Sequence, residues 1–321
     1  MDNMLHLSAS PHIHSGRSTS SIMRDVLIAL LPATVAGTVI FGWRSLLVVA
    51  VCVASCVLFE ALFNIITKKQ QTIGDLSAAV TGLLLALNMP VNIPVWQCVI
   101  GSLFAIVLVK CLFGGIGCNL VNPAITARVF MLVAFSKTMV TAVDAVAGPT
   151  PLAQMAANRV AAETVNQVAA ETVNQVPDLL DLFLGTTGGA IGETCALALL
   201  IGLAYLLIRR VITWHIPVAF IGSVFVLSFF AEGFDVMMAV SMVLSGALLI
   251  GAIFMATDYV TSPATPWGKI IFGLGAGLIT FMIRYFGNYP EGVSFAILLM
   301  NILTPYIEKL TARRVFGGKK A

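Results

Sequence analysis

Apolar stretches close to bilayer length alternate with short polar or Pro/Gly borders along almost the whole chain. They mark ten segments: 23–41, 45–66, 76–87, 93–113, 119–135, 191–207, 211–230, 236–255, 270–285 and 292–310. A helix rises about 1.5 Å per residue, so about 20 apolar residues cross a hydrocarbon core. The pattern therefore predicts an all-α integral membrane protein of about ten transmembrane helices. Segments 76–87 and 270–285 are short for the task, and short spans bordered by Gly or Pro predict broken helices that line a site. Composition sharpens this: of 321 residues 59% are hydrophobic and 10% charged, which excludes the secreted and cytosolic globular classes. Residues 1–21 lack the apolar run of a cleavable signal, so the first span is expected to serve as the targeting signal.

The segments divide five and five about a polar stretch at 136–190. An odd number of spans per half forces two halves of common fold to be inverted in the membrane, so the expected architecture is two inverted five-helix repeats. "TGLLLALNMP" at 81–90 and "SGALLIGAIFMATD" at 245–258 each lead from the third span of a half into a Pro-bearing loop. A weaker echo joins "NPAITARVF" at 122–130 to "NILTPYIEKLTARRVF" at 301–316. The chain then reads as an N-terminal segment (1–22), a first repeat (23–135), a loop (136–190), a second repeat (191–310) and a basic tail (311–321). With both termini cytoplasmic, thirteen Lys and Arg (Lys110 among them) fall inside and four (Arg44, Lys137, Arg159, Arg284) outside, with Arg128 within the fifth span. This positive-inside bias makes the 136–190 loop external.

That loop holds the tandem octapeptide "AAETVNQV" at 161–168 and 169–176, which reads as a tolerated helical insertion. Ahead of it lies "DAVAGPTPLA" at 144–153. Prolines on both sides hold Thr150 in an extended turn with its hydroxyl presented. The six cysteines sit in or beside apolar segments without the spacing of a metal knuckle, and are expected to be small packing residues. The four histidines show no ligand spacing either, so no metal site is expected.

Charges inside apolar segments are costly and face protein or a water-filled cavity. Arg128, behind the Asn122-Pro123 start of the fifth span, is a candidate for stabilising a reduced cofactor or for a structural ion pair. Glu60, within the second span, is a candidate for sodium or proton handling, or for pairing with a basic residue of a neighbouring subunit. Glu193 raises the same question nearer an interface. Asp258 belongs to a polar loop with Thr257, Thr261, Ser262 and Thr265, which is a candidate second pocket for a flavin or an ion. The expected surroundings are the lipid bilayer and no nucleic acid.

The stretch around Thr150 resembles the flavin attachment site of the family that holds the D subunit of the Rnf complex and the B subunit of the sodium-pumping NADH:quinone oxidoreductase. That family's motif is Asp-x-x-Ser/Thr-Gly-Ala-Thr, and Asp144, Gly148 and Thr150 match it, while Ala147 and Pro149 depart. "TGLLLALNMP", "GGIGCNLVNPAITARVF", "GGAIGET", "FMATDYVTSPATPWG" and "GNYPEGVSFAILLMN" look like further blocks of the family, in the same order. The resemblance implies a flavin transferase that esterifies FMN through its phosphate to Thr150, with a second, noncovalent flavin such as riboflavin as a further expectation. It also implies, as partners, the A, B, C and E subunits of the Rnf complex and its FMN-bearing G subunit. The implied activity is electron transfer between ferredoxin and NAD in a prokaryotic inner membrane, coupled to outward movement of Na+ or H+. A quinone-reducing complex of the B-subunit type, or a non-redox transporter or channel with inverted repeats, remains the alternative.

Overall fold

The computed structural model describes residues 18–140, 150–164, 178–287 and 291–312, and every regular element in them is helical. In chain order these are α1 (Thr19–Phe41), α2 (Trp43–Ile66), α3 (Ser77–Leu87), α4 (Val95–Cys111), α5 (Pro123–Ala134), α6 (Ser136–Val140), α7 (Pro151–Thr164), α8 (Leu179–Leu184), α9 (Ala196–Ile208), α10 (His215–Ala231), α11 (Val236–Leu244), α12 (Leu248–Met255), α13 (Pro266–Phe286) and α14 (Val293–Thr311). Side-chain caps set several of the starts. Ser18, Asn122, Asp235 and Thr265 each accept from the first backbone N–H groups of α1, α5, α11 and α13, donors that no helix can satisfy internally. Gly42 alone joins α1 to α2, at φ +78° where a side chain would be strained.

Four helices (α1, α2, α13, α14) are long and apolar enough to cross a membrane, and α11 with α12 makes a fifth that bends by 65° at its break. Five shorter apolar helices (α3, α4, α5, α9, α10) complete the set, in line with a multi-pass membrane protein. Only 28% of the apolar window of α1, and of α2, is buried inside the protein. The rest of those faces, with Leu31, Val35, Val39 and Ile65 exposed, fits lipid contact rather than water.

Several spans depart from their expected lengths, two of them for causes that local contacts show. Segment 270–285 is not short: α13 has 21 residues, because Pro266 occupies the first turn, where its missing N–H costs nothing, and Thr265 caps it. Segment 191–207 becomes helical only at Ala196, since the N–H groups of Ile191 and Gly192 bond instead to the carbonyls of Met89 and Leu87. The cysteine expectation holds for Cys52, Cys56, Cys98 and Cys111, which are buried, but Cys118 is exposed beside the Gly114–Gly117 turn. The tandem octapeptide lies outside the described residues from 165 onward.

One apolar core runs through both halves. Within them α2 packs on α3 and α4, α10 on α11 and α13, and α13 on α14; between them α1 packs on α9 and α5 on α14. The α1–α9 contact is close because Gly202 has no side chain: an added Cβ would lie 2.5 Å from the Ala29 carbonyl oxygen and 2.8 Å from Phe254 Cζ. At one end of this contact Tyr205 of α9 and Arg209, just past its end, donate to Asp25 of α1, at 3.2 and 3.3 Å. Gly202→Val is therefore expected to overpack the contact by about 1–3 kcal/mol. A thermal melt of the purified protein checks this, and an unchanged midpoint would contradict the close approach.

Candidate functional site

Thr150 stands at the entrance to α7. Its hydroxyl accepts from the N–H of Ala153 at 3.3 Å and its carbonyl from that of Gln154 at 2.9 Å, so it caps the helix. The helix is held down along one face. Leu152 and Met155 are buried against Met242, with Met238 and Tyr285 around them. Arg159 donates to Glu232 at 3.0 and 2.7 Å and lies 3.8 Å over the Tyr285 ring, whose hydroxyl donates to the same carboxylate at 2.6 Å. Beneath Thr150 a pocket of about 300 Å³ is lined by Glu193, Thr194, Ser245, Gly246 and Glu291 among others.

The floor of that pocket is a buried ionic cluster joining the two halves. Arg128 of α5 donates to Asn88 and to Glu291, and its guanidinium is 3.7 Å from Glu193. Asn88 donates in turn to the Leu84 carbonyl at 2.7 Å, within the last turn of α3. Glu193 accepts from the N–H of Ala190 at 2.8 Å. Arg284 of α13 does for the second break what residues 190–193 do for the first. It donates to the carbonyls of Met242 at 2.6 Å and Ser245 at 3.1 Å, at the open end of α11. A guanidinium there also meets the negative pole of the half-helix.

A larger cavity, about 790 Å³, opens toward the end of the bundle that carries residues 18 and 312. Asn122, Asn119, Lys110, Thr257, Asp258 and Tyr259 are among its lining residues. Asn122 caps α5, accepting from Ala124 N at 3.0 Å, and donates to the Met255 carbonyl at 3.3 Å, which ties the first half to α12. The buried carbonyl oxygen of the Asn119 side chain has no protein donor among the described residues. Asp258 accepts from Val260 N and Thr261 Oγ1, both at 3.3 Å, and burial raises its carboxyl above the ordinary range. Two π-helical turns, Phe104–Cys111 in α4 and Gly251–Met255 in α12, border this cavity through Lys110 and Phe254. Such turns cost regular hydrogen bonding and concentrate at functional sites.

Glu60 is 2% exposed and its partner comes from this chain, not from a neighbour: Lys110 Nζ lies 2.9 Å from both carboxylate oxygens. Lys110 is thus buried, although it borders a glycine turn and counts among the inside-loop residues by sequence. Arg284 needs the same correction, being 5% exposed within α13 rather than in an outer loop. Removing one residue from each side leaves the charge bias intact. Two opposite charges in apolar segments were the available sign that Glu60 and Lys110 pair, whereas Glu291, in a loop, carries none.

The structure gathers Thr150 with Glu193 and Glu291, and Asn122 with Asp258, while Arg128 stands between these groups as part of the same helix as Asn122. Asp144 and Gly148 lie outside the described residues.

Residues 6–317 match the family described as NQR2, RnfD, RnfE. The chain is 45% identical to the D subunit of the Na(+)-translocating ferredoxin:NAD(+) oxidoreductase complex of Acetobacterium woodii, over 98% of this chain and 96% of that relative. It is 39% identical to the D subunit of the proton-translocating ferredoxin:NAD(+) oxidoreductase complex of Clostridium ljungdahlii, over 99% and 98%. Against the D subunit of the ion-translocating oxidoreductase complex of Stutzerimonas stutzeri identity is 37%, over 94% and 92%.

Proposed function

We propose, on the premise that the chain belongs to the NQR2, RnfD, RnfE family, that it is the membrane-embedded electron-relay subunit of an Rnf-type ferredoxin:NAD+ oxidoreductase that exports Na+ or H+. In this reading it assembles with the A, B, C, E and G subunits of the Rnf complex, and has no complete activity alone. Thr150 carries FMN as a phosphoester made by a flavin transferase, on the outer side of a prokaryotic inner membrane, with both termini cytoplasmic.

The observation that carries the FMN assignment is the seat of the Thr150 hydroxyl at the N-terminus of α7. A phosphate there meets the positive pole of the helix. The pocket below Thr150 is narrow and lined by the Glu193 and Glu291 carboxylates, so the FMN is expected to lie outside it, at the head of α7. The ring is then left to project toward a partner flavoprotein. When bound, the flavin supplies one- and two-electron transfer at a fixed place. The chain's own part is to fix the tether through Arg159 and the α7 core, and to hold the charges of Arg128, Glu193 and Glu291 beneath it.

The second, noncovalent flavin belongs in the larger cavity. Its lining includes Asn119, whose buried side-chain carbonyl oxygen has no protein donor among the described residues and is placed to accept from a ring N–H. Two inverted five-helix repeats fit the contacts. First pairs with first in α1 and α9, last with last in α5 and α14, and the breaks after α3 and between α11 and α12 hold equivalent positions.

The experiment is to produce the complex together with its transferase, denature it and look for flavin fluorescence on this polypeptide in a gel. A fluorescent band is expected; a dark one removes the covalent redox role.

A further inference from the structure

Lys269, near the start of α13, is a half-buried cation without a counter-charge. Its ammonium donates to Thr213 Oγ1 at 3.2 Å, and it forms no ion pair among the described residues. The positive pole of α13 lies beside it and adds to the uncompensated charge. With Thr213, Thr257, Tyr259 and Ser262 it lines a groove that offers about 230 Å³ of free space between the starts of α10 and α13 and the loop after α12. None of the described residues that line it is acidic. Asp258 and Glu308 neighbour the groove, but they accept from Val260, Thr261 and Ala264 rather than from Lys269. Ser262 is 8% exposed, and its hydroxyl has no hydrogen-bond partner among the described residues. A hydroxyl so placed destabilises the fold unless a ligand or water meets it. The lining is thus made for an anion that also carries hydrogen-bonding oxygens.

The depth of the groove identifies the anion. Trp214 and Trp267, at the heads of α10 and α13, are 56% and 72% exposed. Indole rings left open at the ends of apolar helices mark the headgroup level of a bilayer. Further along the same two helices Val218, Ile271 and Leu274 are exposed and suit acyl chains. We propose that the groove binds one anionic phospholipid of the phosphatidylglycerol type. Its phosphodiester oxygen accepts from Lys269 Nζ, its glycerol headgroup meets the hydroxyls of Ser262 and Tyr259, and its chains lie along α10 and α13. One ammonium matches the single negative charge of a phosphodiester. A choline or ethanolamine headgroup would bring a second cation to a lining that has no acid to receive it. Thr257 and Tyr259 also line the larger cavity, so a lipid held here braces the wall of that cavity from outside.

The test uses the purified complex, depleted of its own lipid in detergent, and a phosphatidylglycerol that carries a photoreactive diazirine near its headgroup. Crosslinked peptides are read by mass spectrometry. In the wild type, label is expected within 211–218 and 257–274, and unlabelled phosphatidylglycerol should compete for it where phosphatidylcholine and inorganic phosphate do not. Lys269→Met is expected to lower this labelling about fivefold, since one basic residue near a membrane surface contributes about 1 kcal/mol, and Lys269→Arg should restore it. Equal labelling by a phosphatidylcholine probe, or by the anionic probe in Lys269→Met, marks ordinary boundary lipid and overturns the proposal. Competition by inorganic phosphate makes the groove a site for free anions and overturns the lipid assignment. Absence of label from both segments in the wild type, as when another subunit covers the groove, overturns it as well.

Discussion

Thr150→Ala is expected to give a chain that folds and assembles but carries no covalent flavin. The threonine contributes little to the fold: its hydroxyl makes one capping hydrogen bond at 3.3 Å, and losing a cap costs about 1 kcal/mol. The docking of α7 rests elsewhere, on Leu152, Met155 and the Arg159–Glu232 pair. Loss of in-gel fluorescence with retained assembly therefore isolates the acceptor atom. Thr150→Ser retains an oxygen at the head of α7 and is expected to recover part of the attachment. Intact-mass measurement reads both variants, and an FMN mass increment that survives Thr150→Ala would put the attachment on another residue.

Arg128→Leu is expected to be the most destabilising single change near the site. It leaves Glu193, 4% exposed, without its counter-charge and strips donors from Glu291 and Asn88. Breaking a buried pair from one side costs about 3–5 kcal/mol. Glu291 is 31% exposed and recovers some hydration, which places the loss near the lower figure. Lysine does not substitute, since a single ammonium lacks the planar fork that reaches Asn88 and Glu291 together. In a detergent melt Arg128→Leu should unfold several degrees below wild type, and adding Glu193→Gln should recover part of the difference. A single variant that melts with the wild type would show the cluster to be unimportant for stability.

The pattern of apolar segments was enough to find the helices, because burial in lipid leaves a run about 20 residues long that no other structure requires. It misjudged lengths wherever local caps decided them. Pro266 reads as a breaker in a scan of hydropathy, yet at a helix start it is well tolerated. Residues 191–195 read as the apolar start of a span, but the N–H groups of Ile191 and Gly192 are committed to the Met89 and Leu87 carbonyls at the end of α3, a tertiary demand invisible to composition. For the site, motif and turn chemistry pointed to Thr150, and intramembrane charges pointed to Arg128 and Glu60. Lys110 and Arg284 were misplaced because each lies near a helix end, where snorkelling to the surface and burial in an ion pair leave the same sequence signature. Glu291 was missed because an acidic loop residue looks ordinary until the fold brings Arg128 to it.

The bonds from Ile191 and Gly192 to the end of α3 also bear on how the chain is made. The carbonyls of Leu87 and Met89 wait for these backbone donors until Gly192 has been synthesised and its segment inserted. The first five-helix half thus leaves the ribosome with an open helix end in a medium without water, and it closes only when the second half arrives. Biogenesis of the halves is therefore coupled. A chain cut within 165–177 should assemble when both fragments are produced together, while the first fragment alone should be cleared by membrane proteases.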